Sequence, residues 1–357
     1  MKRLKRPMWW VGGFVLLVVI GLGIYTYFVG TRSFLEYAEA FTFRRMNVSK
    51  LAQQGDFRFF FVTNRSLEPG PEDLEVRFEA EREETLKFGT FDTSIQPTLG
   101  LGMIIDPSDW FLNEEIQVQD ARTLEQQQFV EQLREQVANS PYRSLLVIVH
   151  GFRERFPSAL RKTAFLAHVL DIDTPALVFD WPGNQGSSLR GYRKARRVAT
   201  TSGSELAKTL ELIVQEVQPE RLWLMANSMG GQVVVNAFSL LYENADFSDS
   251  QTEIENVMLT APDVDHEEFN NRFKQEIAAL ADNVTVYVSS NDRALLISRL
   301  INRGRRLGES TLDPSNPGQV EEAEKLFELL DPGSDQLVLV DVTPVNRTPC
   351  GQKTHPY

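Results

Sequence analysis

The stretch Leu222-Trp223-Leu224-Met225-Ala226-Asn227-Ser228-Met229-Gly230-Gly231 decides the fold of this chain. An apolar run ends at a serine between small residues, and residues 232–242 follow with the spacing of a helix. This order predicts a strand, a sharp turn and a helix, with Ser228 at the apex. A serine on such a strained turn needs small neighbours two positions before and after it, and Ala226 and Gly230 meet that need. Ser228 is therefore a candidate nucleophile.

The composition limits the class of protein. The chain has 357 residues, of which 42% are hydrophobic and 24% are charged, as is typical of globular domains. The net charge of -12 argues against nucleic acid as a partner, because binding a polyanion requires a broad basic surface. The single cysteine, Cys350, rules out a disulfide framework and a cysteine-rich metal site, and we expect neither a metal nor a cofactor. The candidates for an imidazole base are His150, His168, His266 and His355.

The N-terminal residues predict a membrane anchor. A basic tip is followed by the uncharged stretch 8–30, which is long enough to cross a bilayer. A cleaved signal peptide is the alternative, but its apolar region is usually shorter and is followed promptly by a small-x-small site. The positive-inside rule places the N-terminus of the segment 1–30 in the cytoplasm and exports the rest of the chain. Residues 31–56 are then a juxtamembrane linker, either a short helix on lipid headgroups or a partly ordered tether, and residues 57–357 form one domain.

Short apolar runs alternate with amphipathic segments from residue 123 onward. The predicted strands are Leu145 to Val149, Ala176 to Phe179, Leu222 to Met225, Val257 to Leu259, Val284 to Val288 and Leu337 to Val340. The predicted helices are Thr123 to Ala138, Ser158 to Leu170, Gly203 to Val217, Gln232 to Tyr242 and Glu267 to Ala281. This alternation indicates an α/β fold with a mostly parallel sheet and helices on both faces.

The region before residue 123 is less regular. Phe57 to Val62 reads as a first strand, and Thr98 to Ile105 as a second. Between them, Leu67 to Phe88 is acidic and poorly patterned, which predicts a loop or an irregular cover.

Polar residues gather where the predicted strands end, which is where open parallel sheets carry their chemistry. These are His150-Gly151-Phe152, Asp180-Trp181-Pro182-Gly183, Ser228, Asp263 with Asp265, Asp292 and, beyond the last strand, His355.

Several motifs occur together in a fixed order. They are Phe61-Val62-Thr63-Asn64-Arg65, His150-Gly151-Phe152, Phe179-Asp180-Trp181-Pro182, Asn227-Ser228-Met229-Gly230-Gly231, Ala261-Pro262-Asp263, and Ser290-Asn291-Asp292-Arg293-Ala294-Leu295 with Ser298-Arg299 and Arg306-Leu307-Gly308 behind it. With them, the chain resembles the alpha/beta-hydrolase superfamily, and more closely its bacterial branch of esterase/lipase-superfamily enzymes of unassigned substrate. The resemblance runs from about Phe57 to the C-terminus and implies the alpha/beta-hydrolase fold.

The resemblance also implies a catalytic triad, in the chain order nucleophile, acid, histidine. Ser228, Asp292 and His355 follow that order. His355 would take the proton of the serine hydroxyl, and Asp292 would orient and stabilise the imidazole. The superfamily pattern supplies an oxyanion hole from the backbone N–H groups of Phe152 and Met229.

Alternatives stay open for two of these roles. Asp263 or Asp265 could supply the acid, because some members take it from the preceding strand. His266, beside Asp265, is the alternative base. The predicted roles of His150, His168 and Asp180 are structural.

A group of basic residues follows Asp180 in this acidic chain: Arg190, Arg193, Lys194, Arg196 and Arg197. We expect Arg193, Lys194, Arg196 and Arg197 to contact an anionic substrate group or anionic lipid headgroups, with a solvated helix face as the alternative.

These features predict a membrane-anchored serine hydrolase that cleaves carboxylic esters or thioesters, including lipid acyl esters, outside the cytoplasm. An acyltransferase that uses the same serine is the nearest alternative, and a non-catalytic, hydrolase-like envelope scaffold is the alternative of a different class. Since the short span from Ala261 to Val284 leaves little room for a lid, we expect an open site that accepts short to medium acyl groups.

Overall fold

The computed structural model describes residues 48–51, 56–68, 77–95, 116–170, 172–186, 188–244, 247, 254–288, 306–308 and 337–341. Within these ranges, no helix combines the length and the apolarity needed to span a bilayer. The predicted anchor (8–30), most of the predicted linker (31–56) and the predicted strand at 98–105 lie outside the described residues.

The described strands form one sheet of nine. They are β1 (Asp56–Leu67), β2 (Phe78–Ile95), β3 (Ile116–Leu124), β4 (Ser144–Val149), β5 (Ala176–Asp180), β6 (Arg221–Asn227), β7 (Ile254–Thr260), β8 (Ala281–Val288) and β9 (Leu337–Asp341). Their order is β3-β2-β1-β5-β4-β6-β7-β8-β9. β1 pairs with β2, and β2 with β3, in antiparallel register, whereas every other neighbouring pair is parallel. The predicted mostly parallel sheet is confirmed.

The helices cover both faces of this sheet. They are α1 (Gln126–Asn139), α2 (Phe156–Leu170), α3 (Leu189–Leu212) with a π-helical continuation (Ile213–Val217), α4 (Gly230–Tyr242), α5 (His266–Glu268), a π-helical turn (Phe269–Phe273) and α6 (Lys274–Leu280). Phe60 of β1 lies in a core with residues of α1, α3 and α4, whereas its neighbour Phe61 lies in a second core with residues of α2. Successive strand residues point to opposite faces, so β1 contributes to both cores.

The first part of the sheet differs from the prediction. Residues 67–88, expected to be irregular, contain the first half of β2, which pairs with β1 as far as Phe78 opposite Leu67. Most side chains in this half of β2 are exposed or half-buried, so the sequence lacks the alternation of apolar residues that indicates a strand. Pairing with β1, which the sequence does not show, fixes this segment.

Two helices begin elsewhere than predicted. The helix expected from Thr123 begins at Gln126, because β3 continues to Leu124. The helix expected from Gly203 begins already at Leu189. Small residues such as Ala195 and Ala199 line the buried side of its first turns, which leaves only a weak apolar pattern.

A prediction follows for the start of α4, where the helix lies against the end of β4. A Cβ at Gly230 would lie 2.6 Å from the carbonyl oxygens of Val149 and His150. Gly230→Ala should therefore lower the free energy of unfolding by about 1–3 kcal/mol, because backbone must move. Gly231→Ala is the matched control, since its Cβ would meet the side chain of Pro262 at 3.1 Å. Urea unfolding measures both variants, and equal losses would contradict this account.

Candidate active site

Ser228 stands at the apex of the predicted strand-turn-helix. Its φ is 51°, in the left-handed region that residues other than glycine rarely adopt. Its N–H donates to Thr260 O at 2.9 Å, and its carbonyl accepts from the N–H groups of Gly231 and Asp263, each at 3.0 Å. The side chain is half-buried, so the hydroxyl stands at a surface. Bonds to the ends of β7 and α4 hold this turn, here called the Ser228 turn (residues 226–230), in its strained conformation.

The loop after β4, residues 150–153, packs directly on the Ser228 turn. A Cβ at Gly151 would lie 3.2 Å from Ser228 Cβ, which is tighter than an ordinary van der Waals contact, so the absence of a side chain at Gly151 favours this close approach. In the part of the chain that the structure describes, the N–H groups of Phe152 and Met229 have no assigned acceptor. Met229 follows Ser228 directly, and Phe152 follows Gly151, which packs on Ser228, so both N–H groups are candidates for an oxyanion hole. Their catalytic role stays a prediction.

His150 fixes this loop from the other side. Its Nδ1 lies 2.9 Å from Gly151 O and carries the proton of that bond, because a carbonyl can only accept. Its Nε2 lies 3.0 Å from Asp180 Oδ1. Trp181 stacks on the imidazole, and its indole N–H donates to His150 O at 2.8 Å. His150 therefore has structural contacts, in agreement with its predicted role.

Arg65 is the counter-charge of Asp180, and both side chains are fully buried. The Arg65 Nε donates to Asp180 Oδ2 at 2.6 Å, and Thr63 donates to the same oxygen at 2.7 Å. The remaining guanidinium donors reach Glu79 O, Glu154 O, Trp181 O and the side chain of Asn184. Burial alone would raise the pKa of Asp180, but the charge of Arg65 and the hydrogen bond and charge of His150 lower it to about 2.

Asp263 belongs to a second buried ion pair, on the opposite side of the Ser228 turn. Arg306 Nε donates to Asp263 Oδ1 at 2.7 Å, and the Tyr192 hydroxyl donates to Oδ2 at 2.6 Å. Both carboxylate oxygens therefore have donors within the described residues. The ring of Tyr192 also packs edge-to-face on Phe152, with centroids 5.6 Å apart. Asp263 thus supports the walls of the site.

The other alternative residues have structural contacts as well. Asp265 caps α5 by accepting from the N–H groups of Glu267 and Glu268, each at 3.1 Å. His266 is the first residue of α5 and contacts Asn270. His168 is buried in α2, away from the strand ends.

Asp292 and His355 lie outside the described residues, and their roles stay predictions. The described strands that lead to them are β8, which ends at Val288, and β9, which ends at Asp341. Since both run parallel within the sheet, their carboxyl ends lie at the same edge as Ser228.

Arg65, Tyr192 and Arg306 are the residues at this site to which sequence reasoning gave no role. Arg65 and Arg306 stood in quoted motifs, and a basic residue at the end of a buried strand, as at Arg65, is a signal for a buried acidic partner. For Tyr192 the sequence carries no such signal. The predicted contact residues Arg193, Lys194, Arg196 and Arg197 lie in the first turns of α3.

A cavity of about 360 Å³ lies beside the Ser228 turn, between α2 and the ends of β4 and β6. Gly151 and Asn227, which pack against each other next to Ser228, both border it, whereas Ser228 is not among its described lining. Its apolar lining comprises Ile148, Ala159, Phe165, Leu166 and Met225, and the ion pair of Lys162 with Glu154 adds charge. A second cavity, about 470 Å³, lies beside α1 and the π-helical continuation of α3, and the predicted site residues are not among its described lining.

Comparisons with known proteins agree with this architecture. Residues 125–347 match the family described as "Alpha/beta hydrolase of unknown function (DUF900)", which covers more than half of the chain. No curated protein matches the chain.

Two solved structures show a more distant likeness. Esterase 2 of Thermogutta terrifontis with butyrate bound is 11% identical, with a TM-score of 0.31, over 56% of this chain and 72% of the esterase. A protein of Agrobacterium vitis S4 whose name calls it a hydrolase is 12% identical, with a TM-score of 0.33, over 73% of this chain and 87% of its own. TM-scores of this size support no conclusion about activity.

The buried Asp180 predicts a specific dependence of stability on pH. Because its folded pKa is about 2 and lies below the ordinary value of 3.8, its charge stabilises the fold above pH 4, and most of that effect is lost as the pH falls from about 4 through 2. The contribution is about 2–3 kcal/mol. Denaturant unfolding measures the free energy of unfolding of the wild type and of Asp180→Asn at pH 5 and at pH 2. The difference between the two proteins should be smaller at pH 2 than at pH 5 by about 2 kcal/mol. A difference between the two proteins that is the same at both pH values would contradict the assignment.

Proposed function

The chain belongs to the alpha/beta-hydrolase family described above, and from this premise we propose that it is a membrane-anchored serine hydrolase of carboxylic esters or thioesters. The observation that carries the proposal is the Ser228 turn: a half-buried serine at a φ of 51°, followed by Met229 and packed on Gly151, where the N–H groups of Met229 and of Phe152, next to Gly151, have no acceptor in the described part of the chain. A strained serine beside preorganised donors is the arrangement that acyl transfer requires.

The proposed reaction has two steps. Ser228 Oγ attacks the carbonyl carbon of the ester while His355 takes the hydroxyl proton. The resulting oxyanion accepts hydrogen bonds from the N–H groups of Phe152 and Met229. His355 then gives the proton to the leaving alcohol or thiol. Water deacylates the enzyme by the same steps, which releases the carboxylic acid and restores the serine.

Chain geometry supports Asp292 as the acid. β8 lies two strands from β6, a distance of about 10 Å at the usual strand spacing. Asp292 follows Val288, the end of β8, by four residues, which span at most about 14 Å when extended. Asp292 can therefore reach the neighbourhood of Ser228. His355 follows the end of β9 by a longer segment and has more reach.

The contacts of Asp263 weigh against it as the acid. A triad carboxylate must accept from the imidazole, and at Asp263 an imidazole would be a third donor beside Arg306 and Tyr192, to a carboxylate whose charge already balances a buried guanidinium. Asp265 accepts from backbone N–H groups of α5 and lies 3.4 Å from Arg306. Both carboxylates are engaged in holding the fold.

The cavity beside the Ser228 turn supports short to medium acyl groups. Its volume of about 360 Å³ is near the lower end of the range for small-molecule sites, and its lining is mainly apolar. An acyltransferase would use the same acyl-enzyme and differ only in the second acceptor. The non-catalytic scaffold is less well supported, because the Ser228 turn retains its strain.

We predict that a fluorophosphonate probe labels the folded protein at Ser228, because the probe reacts with activated serines. Ser228→Ala should abolish the label. His355→Ala and Asp292→Asn should each lower kcat on 4-nitrophenyl butyrate by about 10³-fold or more. Mass spectrometry locates the label, and circular dichroism confirms that each variant is folded.

Asp265→Asn is the matched control, since asparagine can also cap a helix and kcat should stay near the wild-type value. Asp263→Asn should mainly lower thermal stability, because Arg306 would stay buried without its counter-charge. Loss of kcat in a folded Asp263→Asn variant, with activity kept in Asp292→Asn, would assign the acid to Asp263. A folded wild type that does not label would favour the non-catalytic scaffold.

The anchor and the orientation form a separate prediction. If residues 8–30 span the membrane with the N-terminus inside, protease added outside should digest the domain once the outer layers of the cell are permeabilised. A cytoplasmic marker protein should stay intact in the same sample. A domain that remains protected together with that marker would contradict an exported orientation.

A further inference from the structure

The first turns of α3 carry a row of exposed positive charge. Arg190, Arg193, Lys194 and Arg197 follow the spacing i, i+3, i+4, i+7, which places them on one face of the helix. All four are exposed, and the row is about 10 Å long at the helical rise per residue. We call these four residues the basic stripe. Arg196, at the side of this face, is half-buried.

The basic stripe has no acidic partner among the described residues. Five exposed arginines elsewhere each lie within 3.9 Å of a carboxylate: Arg122, Arg134, Arg143, Arg221 and Arg272. In the sequence, no acidic residue occurs between Asp180 and Glu205, although the whole chain has a net charge of -12. The stripe is therefore a patch of positive charge on a protein whose net charge is negative. The five exposed arginines elsewhere lie next to acidic residues, and within the described part of the chain those of the stripe do not.

The first residue of the stripe is unfavourable for the helix itself. The N-terminus of a helix carries partial positive charge, so a cation in the first turn, such as Arg190, is repelled, and acidic residues are preferred there. The first turn of α3 has no acidic residue, and Ser188 caps it through a bond from the Gly191 N–H. A local arrangement that opposes stability, without a compensating contact among the described residues, is characteristic of functional sites.

The stripe lies on the outer face of the helix whose inner face forms a wall of the proposed active site. Tyr192, on the opposite face of the same turns, contacts Phe152 and Asp263 at the wall of that site. One helix diameter, about 10–12 Å with side chains, therefore separates the stripe from this wall. Arg153 and Arg155 of the neighbouring loop are also exposed and have no acidic partner in the described part of the chain. Unpaired positive charge thus gathers at the edge of the sheet that carries Ser228.

From this arrangement we propose that the basic stripe recognises an anionic group on the substrate, so that the enzyme prefers esters that carry a carboxylate or a phosphate. The inference rests on the proposed hydrolase function and names its substrate class. Positive charge within about one helix diameter of a site raises the local concentration of an anionic substrate and its rate of encounter, at low ionic strength. Because the rest of the protein carries a net negative charge, the remaining surface would repel such a substrate.

The test compares two esters that differ by one charge, 4-nitrophenyl butyrate and 3-carboxy-4-nitrophenyl butyrate, with the full chain in neutral detergent micelles. Arg193→Gln/Arg197→Gln should lower kcat/KM for the anionic ester by about three- to tenfold at low ionic strength, and leave the neutral ester within about twofold. The effect should disappear at about 1 M salt, where the Debye length is about 3 Å.

The matched control is Arg143→Gln/Arg221→Gln, which removes the same charge at the opposite edge of the sheet. It should change neither ester. An unchanged ratio of the two kcat/KM values in the stripe variant would overturn the proposal, as would an equal change in the control.

A binding measurement separates this inference from the proposed reaction. In a Ser228→Ala background, calorimetry of the anionic ester should show a Kd raised about three- to tenfold by the stripe substitutions. This measurement needs no catalysis. It can therefore show whether the stripe binds the anionic ester even if the chain does not hydrolyse esters. A lipid surface is the other occupant to test. If the stripe substitutions alter both esters alike, and only in nanodiscs of anionic lipid, the stripe binds headgroups and the proposal is wrong.

Discussion

The buried ion pair of Arg65 with Asp180 is the interaction on which the arrangement of the site depends. One guanidinium joins the ends of β1 and β5, the start of β2, the loop after β4 and the turn before α3. A buried charge without its partner is strongly destabilising, so these segments are held in one arrangement as long as the pair exists. Through Asp180 the pair also fixes His150, and through His150 the loop that offers the Phe152 N–H.

The Ser228 turn lies between two such pairs. Arg65 with Asp180 lies on the side of β5, and Arg306 with Asp263 lies on the side of β7. Both pairs are buried, and each bonds to a wall of the site. Asp263 also donates its own N–H to the carbonyl of Ser228. A strained backbone persists only where its surroundings over-determine it, and the two ion pairs supply that restraint from both sides. The backbone on both sides of Ser228 is therefore held by bonds that lead to a buried ion pair.

The sequence predicted most of the parallel part of the fold, because the strands from residue 144 onward are short apolar runs between amphipathic helices. It also predicted the Ser228 turn, because a sharp turn from a strand into a helix leaves room only for small residues on both sides of the serine. It missed the first half of β2, whose exposed charged residues carry no strand pattern. The roles of Tyr192 and Arg306 were out of reach, because they arise from contacts between residues far apart in sequence. Asp292 and His355 stay predictions.

The long sequence separation of Arg65 and Asp180, 115 residues, couples the site to the folding of the whole domain. The region that matches the family begins at residue 125 and does not include Arg65. Without β1, Asp180 would lack both the Arg65 guanidinium and the Thr63 hydroxyl that bond to it. The bonds that hold the end of β5 therefore come in part from a strand outside the region that matches the family. A fragment that began at residue 125 would contain Ser228 and Asp180 but would leave Asp180 without its guanidinium partner, so the boundary of the family match is not the boundary of the structural unit around the serine.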